Sequence, residues 1–225
     1  MVSSEQVRDE YLAKLRACLA EIPAEFLDEV LDLLLRAHHS GKKIILLGNG
    51  GSAATAMHFA CDLTKWTIVH GARRVRALSL VSNSALTTAL GNDLGFESVF
   101  QEQLMNLLDP GDVVVGISCS GQSANVISAM EWACAAGAET IALTGFGGGR
   151  LKSIAKCALV LSSHDYMPLE DSHMVVAHMV AEGLKRRLHY DRHGASNPKW
   201  GREQMAEGAA EYQFDLGHSP QSGPT

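Results

Sequence analysis

Twice in this chain a short apolar run gives way to a turn of glycine and serine and then to a helix start. Ile44-Ile45-Leu46-Leu47 precedes Gly48-Asn49-Gly50-Gly51-Ser52, and Val113-Val114-Val115-Gly116-Ile117 precedes Ser118-Cys119-Ser120-Gly121-Gln122-Ser123. A strand that enters a helix through small residues gathers backbone N–H groups around an anion at the helix N-terminus. The serine hydroxyls add donors that carry no charge. Two such loops point to a phosphorylated small molecule held from two sides. The plainer alternative is a pair of structural turns in which Gly50-Gly51 lets a helix pack closely on a strand. Neither loop has a Walker lysine, which argues against nucleoside triphosphate hydrolysis. The third glycine of a dinucleotide fingerprint is replaced by Ala53, and no acidic residue stands near the ribose position, so NAD binding is disfavoured.

The pattern around these loops is strand–helix alternation. Strands are expected near 43–47, 75–80, 112–117, 139–143 and 157–161, and helices near 52–64, 84–91, 97–107, 123–136 and 168–188. The strands are short and rarely alternate, as strands do when both faces of a parallel sheet are covered. The expected class is α/β, a three-layer α/β/α sandwich around a parallel five-stranded sheet. Two amphipathic helices, 5–20 and 24–39, precede it, the second opened by Pro23 and closed by Ser40-Gly41. Ligands of such sheets bind at the carboxyl ends of the strands, where both loops fall. Residues 1–190 are read as one domain. Residues 191–225, rich in Gly, Ser, Pro, Glu and His, are read as a mobile polar tail.

Among 225 residues the net charge is −6, which argues against broad binding of nucleic acid. No apolar run is long enough to span a bilayer, and Met1-Val2-Ser3-Ser4-Glu5 lacks a signal-peptide pattern, so a membrane is not expected as a partner. The five cysteines, at 18, 61, 119, 134 and 157, are odd in number and form no CxxC pair, which fits a reduced cytoplasmic compartment. Cys18, Cys134 and Cys157 read as packing residues. Cys119 lies inside the second loop, at a helix start that lowers a thiol pKa, but no activating base accompanies it.

A second group of chemistry-bearing residues lies on helices. His58 and Asp62 are i,i+4 neighbours on the helix after the first loop, so they share a face. The helix from Pro168 carries Glu170, His173 and His178. Helical rise separates Glu170 from His178 by roughly 12 Å, so they cluster only if Glu170 lies at a frayed start, or else they flank a ligand from opposite ends. Two histidines and two carboxylates suit zinc or a similar divalent ion, and equally suit general acid–base chemistry. Each feature has a plainer reading. A His–Asp pair at this spacing is commonly a surface hydrogen bond, and a histidine in Val175-Val176-Ala177-His178-Met179-Val180 is commonly a core residue. In Gly91-Asn92-Asp93-Leu94-Gly95-Phe96, Asn92 and Asp93 either bind sugar hydroxyls or cap a helix.

Taken in order, Gly48-Asn49-Gly50-Gly51-Ser52, His58-Phe59-Ala60, Gly91-Asn92-Asp93-Leu94-Gly95-Phe96, Gly111-Asp112-Val113, Ile117-Ser118-Cys119-Ser120-Gly121-Gln122-Ser123-Ala124-Asn125-Val126 and Leu143-Thr144-Gly145 resemble the sugar isomerase domain, and within it the phosphoheptose isomerases. The resemblance spans about 5–188. It implies a homotetramer with active sites between subunits, and an intramolecular oxidoreductase of heptose biosynthesis. That enzyme converts sedoheptulose 7-phosphate to D-glycero-D-manno-heptose 7-phosphate through an enediol. It implies substrate binding by Asn49, Gly50, Gly51, Ser52, Asn92, Asp93, Ser118, Cys119, Ser120, Ser123 and Glu170. It implies Asp62 and His178 as base and acid, and zinc on His58, Asp62, Glu170 and His178.

The chain departs from that family at several of these positions. Asp62 stands where glutamate is usual, which draws the carboxylate back by roughly 1 Å, a misplacement able to cost about a hundredfold in rate. Glu170 replaces a neutral amide, Cys119 a threonine and Gln122 an asparagine. Trp66, beside Lys65, stands where an arginine is usual. An alternative function is a non-catalytic sugar isomerase protein that binds the replication initiator DnaA or senses a sugar phosphate. The carboxylate at 62 and the histidines at 58 and 178 favour the enzyme.

Overall fold

The computed structural model describes residues 2–193. The polar tail assigned to 191–225 therefore lies, beyond its first residues, outside the described part of the chain. Helices α1 (Ser4–Ala20) and α2 (Ala24–His39) lead into β1 (Lys43–Gly48), α3 (Gly50–Lys65), β2 (Arg76–Ser79), α4 (Ser84–Asp93), α5 (Val99–Leu107) and β3 (Val113–Ser118). There follow α6 (Ala124–Ala135), β4 (Glu139–Thr144), the short α7 (Leu151–Ile154), β5 (Cys157–Val160) and α8 (Tyr166–His193).

The five strands form one parallel sheet in the order β2-β1-β3-β4-β5. Strand side chains alternate between two cores. Ile44, Leu46, Val113, Val115 and Ile117 pack under α1, α2, α3 and α8. Ile45, Leu47 and Val114 pack under α5, α6 and α7. These are the three layers expected, and the apolar runs do not alternate because both strand faces are buried.

From β1 the chain goes first to β2 on one side and later to β3 on the other, so the topology reverses between β1 and β3. A crevice opens at the carboxyl ends of strands at such a point. Gly48 of β1 is in register with Ile117 of β3, so the two glycine-serine loops leave the sheet side by side. At the opposite end of this strand pair, Asp112 is fully buried and accepts the backbone N–H groups of Lys43 (2.8 Å) and Asp109 (2.9 Å). It also pairs with Lys43 Nζ at 2.8 Å. The Gly111-Asp112-Val113 motif thus ties β3 to β1.

The structure extends the expected last helix at both ends. Pro168 sits inside its first turn, where a missing N–H costs nothing, instead of opening it. At its far end α8 runs past the domain boundary placed at 190, to His193. Cys18 and Cys157 are buried as packing residues, whereas Cys134 is exposed, with Sγ 3.4 Å from Thr140 Oγ1.

Candidate active site

The two loops enclose a cleft of about 150 Å³ lined by Asn49, Ser52, Ile117, Ser118, Cys119, Ser120, Ser123, Tyr166 and Glu170. The N-termini of α3 and α6 open on it, and neither first turn carries an acidic residue. Asn49 and Asn125 lock the loops together through reciprocal amide hydrogen bonds of 2.8 and 2.9 Å. Ser118 Oγ lies 3.0 Å from Ser123 Oγ, and Ser120 Oγ accepts from the Gln122 N–H at 3.2 Å. Gly121 has φ +63°, and a Cβ there would stand 2.0 Å from the Gly148 carbonyl oxygen, so only glycine closes this loop against the one after β4. The result is a cradle of hydroxyl, amide and helix N-terminal donors with no lysine or arginine in its wall.

Cys119 is buried in this wall, and burial pushes its thiol up to about 11. The helix start therefore does not activate it, and it serves as a small packing group. Glu170 brings the wall's one carboxylate. It lies over Gly51, where a Cβ would fall 2.2 Å from Glu170 Oε2.

Two turns further along the same helices, a second cluster forms. His58 and Asp62 on α3 meet His178 on α8. The two Nε2 atoms are 3.1 Å apart, and Asp62 Oδ2 lies 3.4 Å from His58 Nε2 and 3.6 Å from His178 Nε2. Zinc bonds of ~2.0–2.1 Å arranged tetrahedrally put ligand atoms ~3.3 Å apart. The three separations bracket that value, and both imidazoles turn the same nitrogen inward. The donor set thus fits a divalent ion with one coordination position left over. The half-exposed rings leave room for a further ligand or a substrate oxygen.

The structure sorts the expected site residues into groups. His58, Asp62 and His178 converge. Glu170, expected as a fourth metal ligand, stands apart from them within a protomer and faces the cradle instead. It lies within α8 and not at a frayed end. Asn92 and Asp93 are exposed in the last turn of α4, with Asn92 Nδ2 donating to Asp93 Oδ1 at 2.7 Å, and neither lines this cleft. Helix capping at α4 falls to Asn83. The core histidine of α8 is His173, fully buried with Nε2 3.4 Å from the Thr144 carbonyl oxygen, whereas His178 is half-exposed. Trp66 donates Nε1–H to Glu182 Oε2 at 3.0 Å, with Lys185 Nζ 4.3 Å from its ring centroid. Sequence reasoning missed Tyr166 as part of the cleft and Asn125 as the brace of both loops. Asn125 stands two residues after the last loop serine, and a buried amide there is the signal that marks it.

The family profile described as SIS domain matches residues 10–145. Phosphoheptose isomerase of Aquifex aeolicus is 36% identical over 170 residues, covering 76% of this chain and 88% of that one. Its counterpart in Akkermansia muciniphila is 36% identical over 189 residues, 83% of this chain and 98% of that one. The solved structure of phosphoheptose isomerase from Neisseria gonorrhoeae superposes with a TM-score of 0.74 at 33% identity, over 81% of this chain and 98% of that one. A neutral two-loop cradle at the β1/β3 crevice, a His–Asp–His cluster beside it and these likenesses agree: the chain belongs to the SIS-domain family, among the phosphoheptose isomerases.

Proposed function

We propose that the protein is an aldose–ketose isomerase that converts sedoheptulose 7-phosphate to D-glycero-D-manno-heptose 7-phosphate. One observation carries the reading: the His58, Asp62 and His178 cluster stands two helical turns from a hydroxyl-lined cradle, on the same pair of helices. The cradle takes the phosphoryl group through Ser52, Ser118, Ser120, Ser123 and the N–H groups of Gly50 and Gly51. The carbonyl end then extends toward the cluster.

The reaction moves a proton between C1 and C2 by way of an enediol. The Asp62 carboxylate is placed to take the carbon-bound proton, and His178 to pass a proton between the oxygens. His58, Asp62 and His178 would hold zinc or a similar ion, which when bound polarises the carbonyl oxygen. Base and ligand roles would compete for the Asp62 carboxylate. Asn92, Asp93 and Glu170 take the remaining sugar contacts in the assembled protein, Asn92 and Asp93 reaching a neighbouring protomer's substrate. A tetramer is supported by exposed apolar side chains on α1 (Val7, Leu12), at the start of α8 (Met167) and near α5 (Leu94, Phe96). Five free cysteines, and the lack among the described residues of any helix long and apolar enough to cross a membrane, are compatible with the cytoplasm.

The test is conversion of sedoheptulose 7-phosphate, followed as aldose formation, beside five- and six-carbon ketose phosphates. Asp62→Asn should abolish turnover and leave phosphate binding intact. Unchanged turnover would remove Asp62 from the chemistry, and no turnover by the wild-type protein on any ketose would favour a binding role.

A further inference from the structure

We propose that Tyr166 is a substrate-binding residue whose hydroxyl reaches the phosphoryl end of the ligand, and that Phe146 is the positioning residue that holds it there. The proposal rests on the reading of the cleft as a phosphate cradle.

The first observation is a backbone outlier. Phe146 has φ +49°, the one non-glycine residue with positive φ among the described residues, and Gly147, Gly148 and Gly149 continue the left-handed run at +81°, +90° and +51°. A bulky L residue pays a steric penalty there that glycine does not, so a phenylalanine in a run of glycines is held by something outside its own backbone. Its partly buried ring packs against the core under α2, α3 and α8, and two specific contacts add to that. The Phe146 N–H donates to the Ser163 carbonyl oxygen at 3.1 Å. Its ring lies against those of His164 and Tyr166, with centroid separations of 5.1 and 4.9 Å. The outlier therefore aims an aromatic ring at the segment that opens α8.

The second observation is where that segment points. Tyr166 is half-exposed overall yet lines the cleft with Ser52, Ser118, Ser120 and Ser123. The wall holds no cation, so each neutral donor carries a larger share of phosphate recognition. A phenol supplies one O–H donor on a rigid arm with two side-chain torsions. The loop that bears Phe146 also packs on the second serine loop, with Gly148 against Gly121, so ring and cradle share one support.

The experiment measures binding of inorganic phosphate and of sedoheptulose 7-phosphate by calorimetry, with kcat and KM, for Tyr166→Phe, Phe146→Gly and Phe146→Tyr. Tyr166→Phe keeps the ring stack and removes the donor. It should weaken both ligands and raise KM about tenfold, the loss expected for a hydrogen bond to a charged group, with kcat unchanged. Phe146→Gly suits the left-handed backbone and removes the ring. It should raise KM in the same direction, beside the loss of melting temperature that removal of a core-packed ring brings, and Phe146→Tyr should keep wild-type binding. A purely structural role for Phe146 would lower the melting temperature and leave affinity intact. Wild-type affinity in Tyr166→Phe overturns the assignment, as does a kcat loss at constant KM. Wild-type affinity in Phe146→Gly overturns the positioning role. Failure of the wild-type protein to bind either ligand overturns the cradle reading, and this assignment with it, and is distinguishable because the loss precedes any substitution.

Discussion

Replacing Asp62 with glutamate separates two lines of reasoning about the His–Asp–His cluster. Likeness to the family, in which glutamate is usual, predicts that Asp62→Glu restores a lost methylene and improves catalysis. The geometry predicts the opposite. The Asp62 oxygen already lies 3.4 and 3.6 Å from the two Nε2 atoms, near the ~3.3 Å edge of a tetrahedral zinc site. The shorter side chain is therefore compensated by backbone placement. Extending it by roughly 1 Å drives the carboxylate inside that edge unless it folds back. Folding back costs ~0.5–1.5 kcal/mol in side-chain torsion, up to about tenfold in affinity. A displaced base is costlier, because a misplacement of roughly 1 Å reduces rate about a hundredfold. Asp62→Glu should thus weaken zinc about five- to tenfold in chelator competition and lower kcat ten- to a hundredfold, while phosphate binding at the cradle holds. Asp62→Ala serves as the floor for both measurements. A glutamate variant with tighter zinc and equal or faster turnover would refute the argument that this backbone is fitted to aspartate.

Glu170 adds a negative charge to an otherwise neutral cradle, so Glu170→Gln should tighten phosphate-ester binding about fivefold in calorimetry, from ~1 kcal/mol of relieved repulsion at solvent-like dielectric. Asp112→Ala strands two backbone donors and leaves the Lys43 ammonium only its pair with Asp109. It should cost about 2–4 kcal/mol and lower the melting temperature by roughly 10 °C in calorimetry, with KM of the folded fraction unchanged. With its thiol pushed up to about 11, Cys119 should alkylate far more slowly than exposed Cys61 near neutrality. Its rate by mass spectrometry should rise about tenfold per pH unit toward pH 10. Burial pushes the His173 imidazole down from 6.5 to about 4, so the unfolded chain binds a proton across that window that the folded chain does not. Stability should therefore fall by about 3 kcal/mol as pH drops from 6.5 to 4, and urea titrations of His173→Leu should lose that slope.

Local chemistry carried much of the fold. Continuous apolar runs bounded by Gly and Ser announced buried parallel strands, and all five lie where they were expected. The short α7 was not legible, because Leu151-Lys152-Ser153-Ile154 is too brief to show a helical period. The cradle was legible because its donors are contiguous in sequence. The triad was legible in half: His58 and Asp62 share a helix face, but their meeting with His178 depends on how α3 crosses α8, which no local pattern states. The same limit explains the two histidines of α8. Both have apolar sequence neighbours, and only the way α8 packs on α1, α2 and α3, which turns His173 toward Thr144, distinguishes buried His173 from half-exposed His178. Tyr166 escaped notice for a related reason, since its role comes from a left-handed Phe146 that sequence cannot reveal.

Three contacts between α3 and α8 occur in the same order along both helices: Gly51 against Glu170, His58 against His178, and Trp66 against Glu182. The helices therefore run parallel, with their N-termini together at the cradle. Helical rise puts the His–Asp–His cluster ~10–12 Å beyond the cradle along their axes. Under the proposed function that spacing joins two separate features into one site, because a ligand anchored by its phosphate must extend its carbonyl end toward the cluster. A seven-carbon sugar phosphate comes nearer to this reach than a five-carbon one. The staple of Trp66 to Glu182 and Lys185 lies one turn past the cluster and fixes the same helix pair. In this chain, then, Trp66 pins the far end of the helix pair to Glu182 and Lys185, and under the proposed function the preferred chain length is set by the spacing of that helix pair rather than by any one side chain.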